Sequence, residues 1–239
     1  LKDNPPMKAR LILPGLLLLV LLAAACLPAP NLRNEKFLKD RSLTEGSEDC
    51  ESPCWRGITP GVTTWSDALT ILEDAPDLEN PETQTVENSP VVGAQWKPVD
   101  GDPCCQMVSE DGEVVSSLFI QLAPNQTMSQ LIDSQGEPTY VLGTPGTDDQ
   151  AILNLFYPEK GMVVFAFVAG AANGELTESS EIIGVFYTTL ERMDLTVKLS
   201  NLYAWDGYKP FSLYAPDNPD VQYAVTQSLT LTPTPTPGQ

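Results

Sequence analysis

The chain has no histidine among its 239 residues. That excludes Ser-His-Asp and Cys-His nucleophile pairs, HExxH metalloprotease sites and any imidazole general base. It also lacks a P-loop, a dinucleotide fingerprint and a calcium loop of EF-hand form. Positive charge is scarce: 13 Lys and Arg stand against 32 Asp and Glu, a net of −19. Such a body repels nucleic acid and anionic lipid headgroups. The plain reading of the acidic excess is solubility of an exported domain; a basic partner or divalent cations are the alternative. Residues 27–41 run against this balance, with Arg33, Lys36, Lys39 and Arg41 against Glu35 and Asp40. No apolar run reaches the roughly 20 residues of a comfortable membrane span.

What is present begins near the N-terminus. Lys8 and Arg10 precede an apolar core over residues 11–22, followed by Ala23-Ala24-Ala25-Cys26. This is the layout of a secretion signal, with Met7 as its start and residues 1–6 upstream of it. Ala24-Ala25-Cys26 resembles the lipobox of bacterial lipoproteins, in which the Cys receives a diacylglycerol. Ala23 stands where that family prefers Leu, and Ala23-Ala24-Ala25 also fits an ordinary A-x-A cleavage site. Three readings follow: lipid attachment at Cys26, plain secretion, or an uncleaved anchor. Each buried CH₂ of an acyl chain adds about 0.8 kcal/mol, so several chains on one Cys hold a protein at the membrane.

Four cysteines follow: Cys50, Cys54, Cys104 and Cys105. An even count outside the cytoplasm implies two disulfides. Joining adjacent residues is strained, because disulfides favour Cα separations of about 5.5–6 Å. The expectation is therefore that Cys50 and Cys54 pair with Cys104 and Cys105, in an order left open. Each bridge would close roughly 50 residues and contribute about 2–4 kcal/mol. A four-thiolate zinc site is the runner-up, although the spacing is not that of a C-x₂-C knuckle.

Residues 27–49 are polar and carry Pro28, Pro30 and Gly46, which reads as a flexible tether. Residues 229–239 alternate Thr and Pro and read as a disordered tail. Between them lies a duplication. Ile58-Thr59-Pro60-Gly61-Val62-Thr63 aligns with Leu122-Ala123-Pro124-Asn125-Gln126-Thr127. After a one-residue gap, residues 64–69 align with 127–132. Thr64 with Asp67 and Thr127 with Gln130 are helix-start signatures. Apolar residues then fall on one helical face, Trp65, Ala68, Leu69 and Leu72 in the first copy, Met128, Leu131 and Ile132 in the second. Strands are predicted over 91–97, 104–110 and 114–122, with the last two as a hairpin about Asp111-Gly112. Further strands are predicted over 151–157, 162–168 and 181–189. The fold expectation is α+β: two tandem helix-plus-antiparallel-sheet units, each of about one helix and three strands. The first covers 50–122 and the second 123–200, with an aromatic-rich segment over 201–228. The two sheets could join edge to edge.

Gly57-Ile58-Thr59 and Gly136-Glu137-Pro138, each in one copy, carry a resemblance. The helix, Gly-x-Pro and strand-hairpin pattern looks like the SmpA/OmlA (BamE) lipoprotein domain and the tandem repeats of beta-lactamase inhibitor protein. The resemblance implies small α+β units that bind other proteins rather than catalyse; no cofactor is expected. The expected function is a lipid-anchored, extracytoplasmic, non-catalytic binding or scaffold protein of the bacterial cell envelope. Its partners would be the membrane, through Cys26, and another envelope protein. The first alternative is a module binding glycans or cations, resting on a candidate surface of Tyr203, Trp205 and Tyr208. These aromatics could instead fold back and plug an open sheet. Calcium would need Asp100 and Asp102, or Glu110, Asp111 and Glu113, to converge. The last alternative, a carboxylate-dependent hydrolase, would use pairs such as Asp100/Asp102 or Asp148/Asp149, which sit in ordinary turn sequences. Asn125-Gln126-Thr127 fits a glycosylation sequon, but Thr127 serves better as a helix cap.

Overall fold

The computed structural model of the protein describes residues 32–46, 50–170 and 173–227. Helix α1 is a single turn, Ser42–Glu45. Helix α2, Trp65–Glu73, starts where the Thr64 hydroxyl accepts the Asp67 N–H at 3.2 Å. Helix α3, Met128–Gln135, has the reciprocal box: Gln130 N–H donates to Thr127 Oγ1, and Thr127 N–H donates to Gln130 Oε1. Both duplicated caps thus satisfy amides that the helix itself leaves without partners.

The strands are β1 Glu82–Thr85, β2 Val92–Trp96, β3 Cys105–Ser109 and β4 Ser117–Gln121, then β5 Tyr140–Thr147, β6 Gln150–Tyr157, β7 Met162–Ala169, β8 Ile182–Thr188 and β9 Tyr203–Ala204. They form one nine-stranded antiparallel sheet in the order β1-β2-β3-β4-β8-β7-β6-β5-β9. This overturns the expectation of two tandem units of one helix and three strands. The reason lies at the edges. A β4 and a β8 left apart would each expose a row of unpaired amides. They pair instead, Ser117–Gln121 against Thr188–Gly184, and the boundary at 122 falls inside a continuous sheet.

One row of side chains crosses eight strands on the inner face: Trp96, Cys105, Ile120, Val185, Val164, Leu155, Val141 and Tyr203. None is more than 3% exposed. Helices α2 and α3 cover this face with Ala68, Leu72, Met128 and Leu131. Each fully buried aliphatic chain contributes about 1.5–3 kcal/mol. The last described helices are α4, Leu190–Lys198, and the single turn α5, Phe211–Tyr214. Phe211 and Tyr214 join the inner core, whereas Met193 of α4 packs on the other face against Phe156, Val163 and Leu202.

The arm over 32–46 is docked, which corrects the flexible-tether reading for those residues. Leu38 and Leu43 are buried, and Leu38 bridges Leu122, accepting the Ala123 N–H at 2.9 Å. Asp40 accepts from the Trp55 indole and from Arg56 Nε, each at 3.1 Å, and from the Ser42 N–H at 2.8 Å. The fully buried Gln126 amide donates to the Asp40 carbonyl at 2.7 Å and accepts from the Thr44 hydroxyl at 2.8 Å. A polar arm can dock in this way because its few apolar residues are buried and its polar ones find partners. Cys26 and the Thr-Pro tail lie outside the described residues.

The cysteines form two disulfides, in a pairing opposite to the expected one: Cys50 with Cys54, and Cys104 with Cys105. No disulfide joins the two segments; tryptophans hold them together instead. The Trp55 ring, next to Cys54, stacks on Trp96 with centroids 5.9 Å apart, and Trp96 pairs across strands with Cys105. With all four sulfurs in disulfides, none is left as a thiolate for the alternative zinc site.

Candidate functional site

The two faces of the sheet are unequal. The outer face carries a second row: Gln95, Gln106, Phe119, Phe186, Val163, Phe156 and Tyr140. Behind it run Gln121, Gly184, Phe165 and Asn154, then Phe167 and Ile152. Helix α4 seals Phe156 and Val163, while Phe119, Phe165, Phe167, Phe186 and Ile152 stay half-buried. At Gly184 a side chain would stand 3.0 Å from the Ile120 carbonyl and 3.4 Å from the Phe165 ring. Its absence lets Phe119 and Phe165 meet edge to face over the intervening strand, centroids 5.6 Å apart. Arg33 lies over Phe167 at 5.5 Å and pairs with Glu181, which brings the docked arm to the border of this face. A partly exposed aromatic surface of this kind suits contact with another macromolecule.

A cleft of about 700 Å³ opens elsewhere, among Ser42, Cys50, Cys54, Arg56, Glu159 and Lys160. Trp55 and Ile58 exchange backbone hydrogen bonds of 2.9 and 2.8 Å across Arg56 and Gly57. Both central residues have positive φ, 51° and 86°, the signature of a type I′ turn. Arg56 is clamped by Asp77 at 2.7 and 2.8 Å and by Asp40. Those hydrogen bonds raise its pKa and hold the Asp77 carboxyl below its ordinary value. The Lys160 ammonium donates to the Gln135 carbonyl at 2.6 Å. Tyr187 also lines the cleft; burial is the main cause that pushes its hydroxyl well above the usual tyrosine range.

The candidate surface of Tyr203, Trp205 and Tyr208 is not one surface. Tyr203 is 1% exposed, donates to the Ala215 carbonyl at 2.9 Å and stacks on Tyr223 at 4.4 Å. Trp205 is half-buried against Tyr214, its indole nitrogen shut off from solvent and without a partner. Only Tyr208 is exposed, at 37%. Three of the acidic candidates serve turns and polar pairs. Asp111 accepts from Ser109 Oγ and from the Glu113 and Val114 amides, Glu110 pairs with Arg192, and Asp102 accepts from Asn34. Among the described residues no three His, Cys, Asp or Glu side chains converge as metal ligands. Nor is any described helix long and apolar enough to cross a membrane.

The outer-face phenylalanines were individually visible in the predicted strands. Their alignment into rows depends on the β4–β8 pairing, which no local pattern encodes. Helix α4 had an overlooked signal: Thr189 caps it, accepting the Arg192 N–H at 3.2 Å, and Leu190, Met193 and Val197 share helical spacing. No family model matches the chain, and neither does any curated protein or solved structure.

Proposed function

We propose that this chain is a lipid-anchored, extracytoplasmic binding or scaffold protein of the bacterial cell envelope, and that its outer sheet face is the binding surface. The observation that carries this reading is the half-open aromatic patch of Phe119, Phe165, Phe167, Phe186 and Ile152. The resemblance to the SmpA/OmlA (BamE) and beta-lactamase inhibitor protein-like domain supports the same class of function. The net charge of −19 makes the favoured partner a protein with an apolar centre and a basic rim. The signal-like segment ending at Cys26 supports membrane attachment. The buried Tyr203 weighs against a sugar platform built from all three predicted aromatics.

Two measurements test the two halves of the proposal. Intact mass spectrometry of membrane-extracted protein should show cleavage before Cys26 and an acylated Cys26; a soluble product with a free Cys26 would defeat the anchor. For the surface, wild-type protein and a Phe119→Glu/Ile152→Glu variant are compared for proteins retained from envelope extract at low and high salt. The expected result is a salt-sensitive partner retained by the wild type alone. Identical retention by both forms, with the variant folded by circular dichroism, would remove the outer face from consideration.

A further inference from the structure

The two disulfides differ in what can reach them. Cys104 and Cys105 are 3% and 2% exposed, sealed in the inner core beside Trp96. Cys50 and Cys54 are half-buried, and both line the 700 Å³ cleft. Among the described residues, one of the four sulfurs accepts a backbone hydrogen bond: the Gly57 N–H donates to Cys50 Sγ at 3.3 Å. The type I′ turn aims that amide, and the clamp of Arg56 on Asp40 and Asp77 holds the turn.

From this asymmetry we propose that Cys50–Cys54 is a thiol–disulfide exchange site for dithiols, and that Cys104–Cys105 is a closed structural bridge. Exchange requires a thiolate to approach one sulfur in line with the bond, and it is faster when the departing sulfur is stabilised as thiolate. The amide at Gly57 stabilises negative charge on Cys50, so Cys54 is the sulfur attacked. The dithiol's thiolate forms a bond to Cys54 Sγ, and the Cys50–Cys54 bond breaks with its electron pair on Cys50. The second thiolate of the dithiol then attacks its own sulfur in the mixed disulfide and releases Cys54. The chain gains two electrons and takes up two protons; the dithiol leaves as a disulfide. The fold survives reduction because Asp40, Trp55 and the Trp55–Ile58 turn hold the segment without the sulfur bridge.

The test treats native full-length protein with dithiothreitol and quenches at intervals with N-ethylmaleimide. The protein is then unfolded, fully reduced and capped with iodoacetamide before peptide mapping. Cys50 and Cys54 should take up maleimide at least about tenfold faster than Cys104 and Cys105. In a separate arm, quenched with N-ethylmaleimide and mapped without reduction, limiting glutathione should leave its mixed disulfide on Cys54. The far-ultraviolet strand signal should persist after Cys50–Cys54 is open. Equal rates for the two pairs, or no labelling until denaturant is added, would overturn the site. A mixed disulfide found on Cys50 would overturn the assigned order of attack.

Discussion

Phe119 on β4 and Phe165 on β7 touch edge to face at an interplanar angle of 82°, although a whole strand lies between theirs. The contact exists because β8 has glycine at position 184, directly between Gln121 and Phe165 in the register. Glycine in a strand interior forfeits packing and entropy, and here neighbouring rings cover the gap. The pair couples the first strand meander to the second on the face proposed for binding.

That coupling is measurable. A double-mutant cycle of Phe119→Leu and Phe165→Leu should show an interaction of about 0.5–1.5 kcal/mol by urea denaturation. Gly184→Val should destabilise by about 1–3 kcal/mol, since its side chain meets a backbone carbonyl as well as the ring. Independent effects at 119 and 165 would mean that the rings do not share an energetic contact.

Asp40 holds the arm, Trp55 and Arg56 together. Asp40→Ala leaves the Trp55 indole, in a residue 2% exposed, without its acceptor. A loss of about 1–3 kcal/mol is expected in thermal or urea unfolding. Asp40→Asn keeps an acceptor for the indole but loses the charge facing Arg56, and should lose less.

If the arm is part of the fold, Leu38→Ala should cost about 2–5 kcal/mol, as for other buried leucines. A free tether would show no change in melting temperature. Differential scanning calorimetry of wild type and variant decides between them.

Asp111 should titrate at about 2, below its ordinary 3.8, because the Val114 and Glu113 amides and the Ser109 hydroxyl all donate to its carboxylate. A carboxyl whose pKa falls on folding contributes its stability above the unfolded value. That contribution fades as pH drops from about 3.8 through about 2. Carbon-detected NMR titration of the Asp111 carboxyl checks the value, and Asp111→Asn should remove this part of the acid dependence. A midpoint near 4 would show that the turn does not hold these hydrogen bonds in solution.

Much of the local structure was legible in the sequence. The caps at Thr64 and Thr127, and six of the nine described strands, follow from side-chain chemistry and from period-two alternation within a few residues. The strands missed had no such signal. The residues of β1, Glu82–Thr85, are polar and exposed; β5 contains Gly143, Pro145 and Gly146, residues that weaken a strand pattern, yet it pairs with β6 across an irregularity at Pro145/Thr147. At the candidate site, Phe119, Phe165, Phe167 and Phe186 were in view as strand residues, but their common face was not.

By itself the sequence determined the absence of histidine chemistry, the acidic surface, the even set of four cysteines after Cys26 and the starts of the duplicated helices. These are matters of composition or of contacts a few residues apart. Only the tertiary structure decided which cysteines pair, that Leu38 and Asp40 dock, that Tyr203 is core, and that β4 joins β8. Each of those outcomes depends on partners distant in the chain, chosen by how edges, rings and buried polar groups satisfy one another at once.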